Sequence, residues 1–193
     1  IRDRYQHNHF ESSSLMIIAI DGRSANTDQK LGVGVYCTEL LRAMATIREN
    51  VVLRIYLDRA PVEGFPLDPS QMELRVIPAQ RAWASLALGK ALRRERPDVF
   101  FSPALQLPLI KSCPTAATHH GLAYMAQPEC FSLSQRLSGR LRTRFALHRA
   151  DHLFAVSESM KQELVAWCGA RPESVTVVHH GAPAGFVADI PAQ

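Results

Sequence analysis

Three short stretches carry residue types that can bind or activate a polar ligand. The first is Leu31-Gly32-Val33-Gly34, which follows a polar loop from Ser24 to Lys30. Glycines there let backbone N–H groups approach a phosphate, and a helix N-terminus behind them adds a partial positive charge. The second is His119-His120-Gly121-Leu122. A neutral imidazole there can hydrogen-bond a hydroxyl, and histidine titrates near neutral pH. The third runs from Ser157, whose hydroxyl can cap a helix, to His179-His180-Gly181-Ala182-Pro183. Each also has a purely structural reading: glycines that turn the chain into a helix, histidines that satisfy loop backbone, a serine that only caps. The G-x-G lacks the third glycine of a dinucleotide fingerprint, and the loop before it is too long for that motif. A zinc site from His119, His120, His179 and His180 would need two loops to converge. Cys37, Cys113, Cys130 and Cys168 are scattered with no C-x-x-C pair, as reduced thiols of a cytosolic protein would be. No metal ligand and no cofactor is assigned.

The elements that must position these residues come next. Stretches at 15–20, 51–57, 71–77, 98–101, 114–118, 152–156 and 175–178 read as strands, mostly separated by helices. They predict an α/β fold: an open, mainly parallel, doubly wound (Rossmann-like) sheet of about seven strands, helices on both faces and right-handed crossovers. Ligands of such sheets bind at the carboxyl ends of the strands, and that rim would hold Gly32, Gly34, His120 and Ser157. The first helix carries Val33, Cys37, Leu41 and Met44 on one side. A second, containing Trp83 and Leu86, ends at Arg96 before Pro97. Gln162 stands three residues after Ser159, as a capping box requires, and Met160, Leu164, Trp167 and Cys168 form an apolar face before Gly169.

Phe131 to Ala150 is the strongest amphipathic helix. Leu133, Leu137, Leu141 and Phe145 form one stripe, and Arg136, Arg140, Arg144 and His148 form the adjacent one. One reading is a core-facing helix with a solvated basic side. The other is peripheral attraction of the 131–150 helix to an anionic membrane or a lipid-phosphate acceptor. Gly139 lowers the intrinsic stability of this helix slightly.

The chain has 193 residues and a formal net charge of +4, which permits an anionic substrate or membrane surface but requires neither. No apolar run approaches the roughly 18 residues of a membrane helix. Residues 1–15 are polar with no signal-peptide core, and read as a mobile upstream tail before Met16. Arg93, Arg94 and Arg96 suit a helix end better than a nucleic-acid patch, so no nucleic-acid partner is assigned. The expected location is cytoplasmic, or peripheral at the inner face of the membrane.

Three motifs in order resemble the family-four glycosyltransferases of the GT-B fold. G-V-G-V-Y-C-T-E-L-L-R-A-M matches the family's "G-I-G-R-Y-x-x-x-L-L-x-A-L", with Val35 in place of the frequent Arg. R-P-D-V-F-F-S-P-A-L-Q-L-P-L is similar to "D-V-F-H-S-P-x-x-x-L-P". G-L-A-Y-M-A-Q-P-E-C-F aligns without gaps to the family's segment, putting His120 on its histidine and Gly121 on its aspartate. Val156-Ser157-Glu158 and the run from Val175 to Phe186 resemble the end of the N-terminal domain, with His180 at the usual Asn. The resemblance spans about Met16 to Phe186 and implies the acceptor-side domain at 16–186, a hinge at His180 and Gly181, and a linker beginning at 187–193. It further implies transfer from a nucleotide-sugar donor to a saccharide or lipid-linked acceptor, retaining and metal-independent, with His120 near the transferred sugar. The family's E-x7-E pair has no counterpart here, so a C-terminal donor domain or a partner chain is expected to complete the site. Two other readings stay open. One is a non-enzymatic module binding a nucleotide or a protein. The other is a dinucleotide-dependent oxidoreductase with Asp58 as the ribose acid, disfavoured by the missing glycine.

Overall fold

The computed structural model describes residues 15–29, 31–47, 50–66, 70, 72–78 and 83–181. The tail at 1–14, Phe186 and the linker expected at 187–193 lie outside the described residues.

Every expected strand is present: β1 Met16–Asp21, β2 Val51–Leu57, β3 Met72–Val76, β4 Val99–Ser102, β5 Thr115–His119, β6 His152–Ala155 and β7 Val175–Val177. They form one sheet in the order β3-β2-β1-β4-β5-β6-β7. All six pairings are parallel, so the sheet is wholly rather than mainly so. Parallel neighbours need crossovers, and helices supply most of them. α1 Val33–Met44 follows β1, α2 Leu88–Glu95 precedes β4, and α5 Glu158–Cys168 links β6 to β7. Between β5 and β6 come α3 Ala123–Ala126 and α4 Leu133–Arg149. The connections 58–71 and 103–114 hold no helix among the described residues.

Successive strand residues point to opposite faces, and the two apolar cores divide accordingly. Ala19 and Tyr56 belong to one core, Ile20 and Ile55 to the other. Cys37 and Leu41 place α1 on the second face. Leu88 of α2, Ala146 of α4 and Leu164 of α5 fill the first. Helices therefore lie on both faces, with α1 alone on its side among the described α-helices.

Several local expectations need correction. Ser157, not Ser159, caps α5 by accepting from the Met160 N–H. The capping box is at α4 instead, where Ser132 and Gln135 satisfy each other's backbone N–H groups. Trp167 is 47% exposed rather than packed, because Met160 and Leu164 already meet the sheet.

The largest correction concerns α4. Its leucine stripe does not face the core: Leu133, Leu137 and Leu141 are exposed, and the buried residues are Gly139, Thr143 and Ala146. Small side chains carry the contact because α3 lies directly on the helix. A Cβ at Gly139 would stand 2.8 Å from Cδ1 of the Tyr124 ring. Gly139 is thus a place of close approach as well as a weak helix former. Alanine would gain about 1 kcal/mol in helix propensity. It would also overlap a partly buried ring, at a cost of about 1–3 kcal/mol. Gly139→Ala is therefore expected to lower the urea midpoint; an unchanged or raised midpoint would show that Tyr124 moves aside freely.

Candidate functional site

His119 ends β5, His120 follows it, and the two side chains part company there. His119 is 3% exposed. Its Nε2 lies 2.8 Å from Thr143 Oγ1, which also meets the Tyr124 hydroxyl. Burial, reinforced by the neighbouring His120, pushes its pKa down to about 4. The ring is a neutral member of the core, tying β5 to α4.

His120 is half-buried and turns to the rim. Its Nε2 lies 2.6 Å from the Pro103 carbonyl oxygen. A carbonyl only accepts, so Nε2 carries the proton and Nδ1 keeps a lone pair. Burial lowers the pKa of this imidazole; the Pro103 carbonyl opposes that, and His180 adds to it. His120 is thus a neutral ring of fixed tautomer presenting an acceptor.

Tyr36 of α1 organises the surroundings of His120. Its ring centre is 4.8 Å from that of His120, edge-on at 76°. The His180 ring lies over it at 4.6 Å. Its hydroxyl meets Thr118 Oγ1 at 3.1 Å, joining α1 to β5. Sequence reasoning passed over Tyr36 as a site residue, although it is the tyrosine of G-V-G-V-Y. Tyr36→Phe removes one hydrogen bond and is expected to cost about 1 kcal/mol of stability. A loss well above that in thermal unfolding would give the hydroxyl further partners.

Gly32 is the N-cap of α1, at φ 48°, a backbone region that favours glycine. No side chain caps this helix. A hollow of about 600 Å³ opens here, lined in part by Gly32, Val35, Tyr36, His179 and His180. The structure thus brings Gly32, His120 and His180 together around Tyr36. Gly34 is different: it is buried, and its N–H bonds to the Leu31 carbonyl at 2.9 Å. Gly121 is exposed with nothing within 4 Å of where a Cβ would be, so an aspartate has room there. Ser157 sits at the same rim, two residues past β6, but does not line the hollow. Gly181 lines it. Among the described residues no three His, Cys, Asp or Glu side chains gather to hold a metal ion.

A second rim feature escaped sequence reasoning. Asp21, buried at the end of β1, receives both Nε and Nη2 of Arg23, at 2.9 and 2.6 Å. Nη2 of Arg23 also reaches Gln106 Oε1 at 2.6 Å, and the guanidinium stacks 4.2 Å from the Trp83 ring centre. Only Asp-Gly-Arg hints at this locally; the other partners come from distant connections.

The fold is similar to that of a glycosyltransferase from Rickettsia africae, with a TM-score of 0.54, 11% identity, 88% of this chain covered and 44% of that one. It is also similar to a UDP-N-acetylglucosamine 2-epimerase from Rickettsia bellii, at TM-score 0.51, 13% identity and coverages of 85% and 44%. Staphylococcus aureus MnaA, solved with UDP, is similar at TM-score 0.52 and 15% identity, with coverages of 84% and 44%. The chain spans 44% of the length of these proteins. No curated protein matches the sequence. Residues 31–184 fit the model of Glycosyltransferase Family 4, and the chain belongs to that family.

Proposed function

We propose that this chain is the acceptor-side half of a glycosyltransferase that moves a sugar from a nucleotide-sugar to a saccharide or lipid-linked acceptor. The observation that carries this reading is His120: neutral, its proton held on Nε2 by Pro103, so that Nδ1 carries the lone pair that would accept from a sugar hydroxyl. Backbone N–H groups of the uncapped first turn after Gly32 face the donor diphosphate. His180 and Gly181 form the hinge to a donor-binding domain at the end of residues 16–186. Transfer proceeds with retention and without a metal, in the cytoplasm. The UDP held by the similarly folded MnaA supports a nucleotide on this scaffold. The 193 residues contain no E-x7-E pair, so the carboxylates that hold the donor come from a further domain or a partner chain.

Incubating the 193-residue chain with nucleotide-sugars and acceptors, and measuring released nucleoside diphosphate, is the test. Turnover is expected only once a donor-binding domain is added. Full transfer by the chain alone would overturn the reading. One observation favours a non-enzymatic module: Gly121 and Val35 carry no charge where relatives carry Asp and Arg. Tight nucleotide binding by the isolated chain, unchanged in His120→Ala, would support that alternative.

A further inference from the structure

The outer side of α4 lacks the mixed charge of an ordinary solvated helix. Leu133–Arg149 contains Arg136, Arg140, Arg142, Arg144 and Arg149 and no carboxylate. None of these arginines forms an ion pair among the described residues. Leu133, Leu137 and Leu141 are 79%, 60% and 59% exposed. A single exposed leucine needs no explanation, but three at i, i+4 spacing make a ridge.

The ridge stands between two hollows. One, of about 730 Å³, lies between α4 and the end of α5; Arg140, Arg144, His148 and Arg171 line it, with Trp167. The other, of about 450 Å³, lies between α4 and the connection after β4; Leu105, Leu109, Leu141, Arg142 and Phe145 line it. No Asp or Glu lines either hollow. Cations, an exposed indole and an apolar ridge share one face of the protein.

We infer that this face docks on an anionic phospholipid bilayer, with arginines at the lipid phosphates and the leucines and Trp167 at headgroup depth. A nucleic acid would leave the leucines unsatisfied. A second copy of the chain, paired through the same face, would set arginines against arginines. Described helices are too short and polar to cross the membrane, so the contact is peripheral. The helix begins on the side of the sheet where β5 ends, so the docking face adjoins the rim that carries His120.

Flotation of the full chain with vesicles tests the inference, and needs no sugar transfer to succeed. Binding to mixed phosphatidylcholine–phosphatidylglycerol vesicles is expected, with little binding to pure phosphatidylcholine and release by salt. Arg140→Gln with Arg144→Gln is expected to lower the partition coefficient about 30-fold. Leu137→Ser with Leu141→Ser is expected to lower it about 10-fold or more. All four side chains are exposed, so the variants are expected to keep the thermal midpoint of the parent. Equal binding to neutral vesicles would overturn the inference. So would absence of vesicle binding, whether accompanied by binding of inorganic phosphate or by a dimer that the leucine variant dissociates.

Discussion

With the donor-binding half supplied, His120→Ala is expected to lower kcat/KM about 100-fold or more. The argument rests on orientation. The Pro103 carbonyl fixes the Nε2 proton, the Tyr36 edge fixes the ring plane, and both leave Nδ1 as a fixed acceptor. Alanine removes the acceptor and leaves a void that water fills with no fixed direction. Asparagine, whose amide oxygen falls near the Nδ1 position, is expected to recover part of the loss. The pH profile gives a second reading. Burial lowers the His120 pKa, so the neutral form persists on acidification through the ordinary histidine range. Activity on the acid side is then expected to fall only at pH below about 6.5. Unchanged kcat/KM in a folded His120→Ala protein would remove His120 from the site.

The second large effect is on acid stability and belongs to His119. Its pKa is pushed down to about 4 in the folded protein, mainly by burial. In the unfolded chain it takes up a proton near about 6.5. The unfolded state therefore binds more protons between these values, and stability rises with pH there. The contribution is complete above about 6.5 and is lost as pH falls toward 4, by about 3 kcal/mol in all. That is a large share of a typical folding free energy. Urea midpoints compared near neutral pH and near about pH 5 should show the loss. His119→Gln keeps a polar reach toward Thr143 and abolishes the titration, so its midpoint should fall less on acidification. Parallel falls in both proteins would assign the acid sensitivity to other groups.

These two residues also mark what sequence can reveal. The strands were legible because parallel strands are buried on both faces, so 15–20 and 153–156 read as unbroken apolar runs. The rim followed from strand direction, and with it the neighbourhood of Gly32 and His120. The orientation of α4 was not legible. Periodicity locates a leucine stripe but not the element it meets, and here Tyr124 claims the face bearing Gly139 and Thr143. The division of labour between His119 and His120 depends on where β5 ends, which spacing does not fix to one residue. Tyr36 and the Arg23 cluster depend on partners distant in sequence, Thr118 in β5 for one and Trp83 and Gln106 for the other.

The position of β1 in the sheet has a consequence for biosynthesis. It lies between β2, which follows it, and β4, whose pairing matches Ile18 with Val99 and Ile20 with Phe101. A nascent chain carrying β1, β2 and β3 therefore has β1 at an edge, with one side of that strand lacking a hydrogen-bonding neighbour. That side stays open until Val99–Ser102 leaves the ribosome. Such an edge is a template for pairing with other chains. The interval before residue 99 emerges is when this protein is most in need of a holding chaperone.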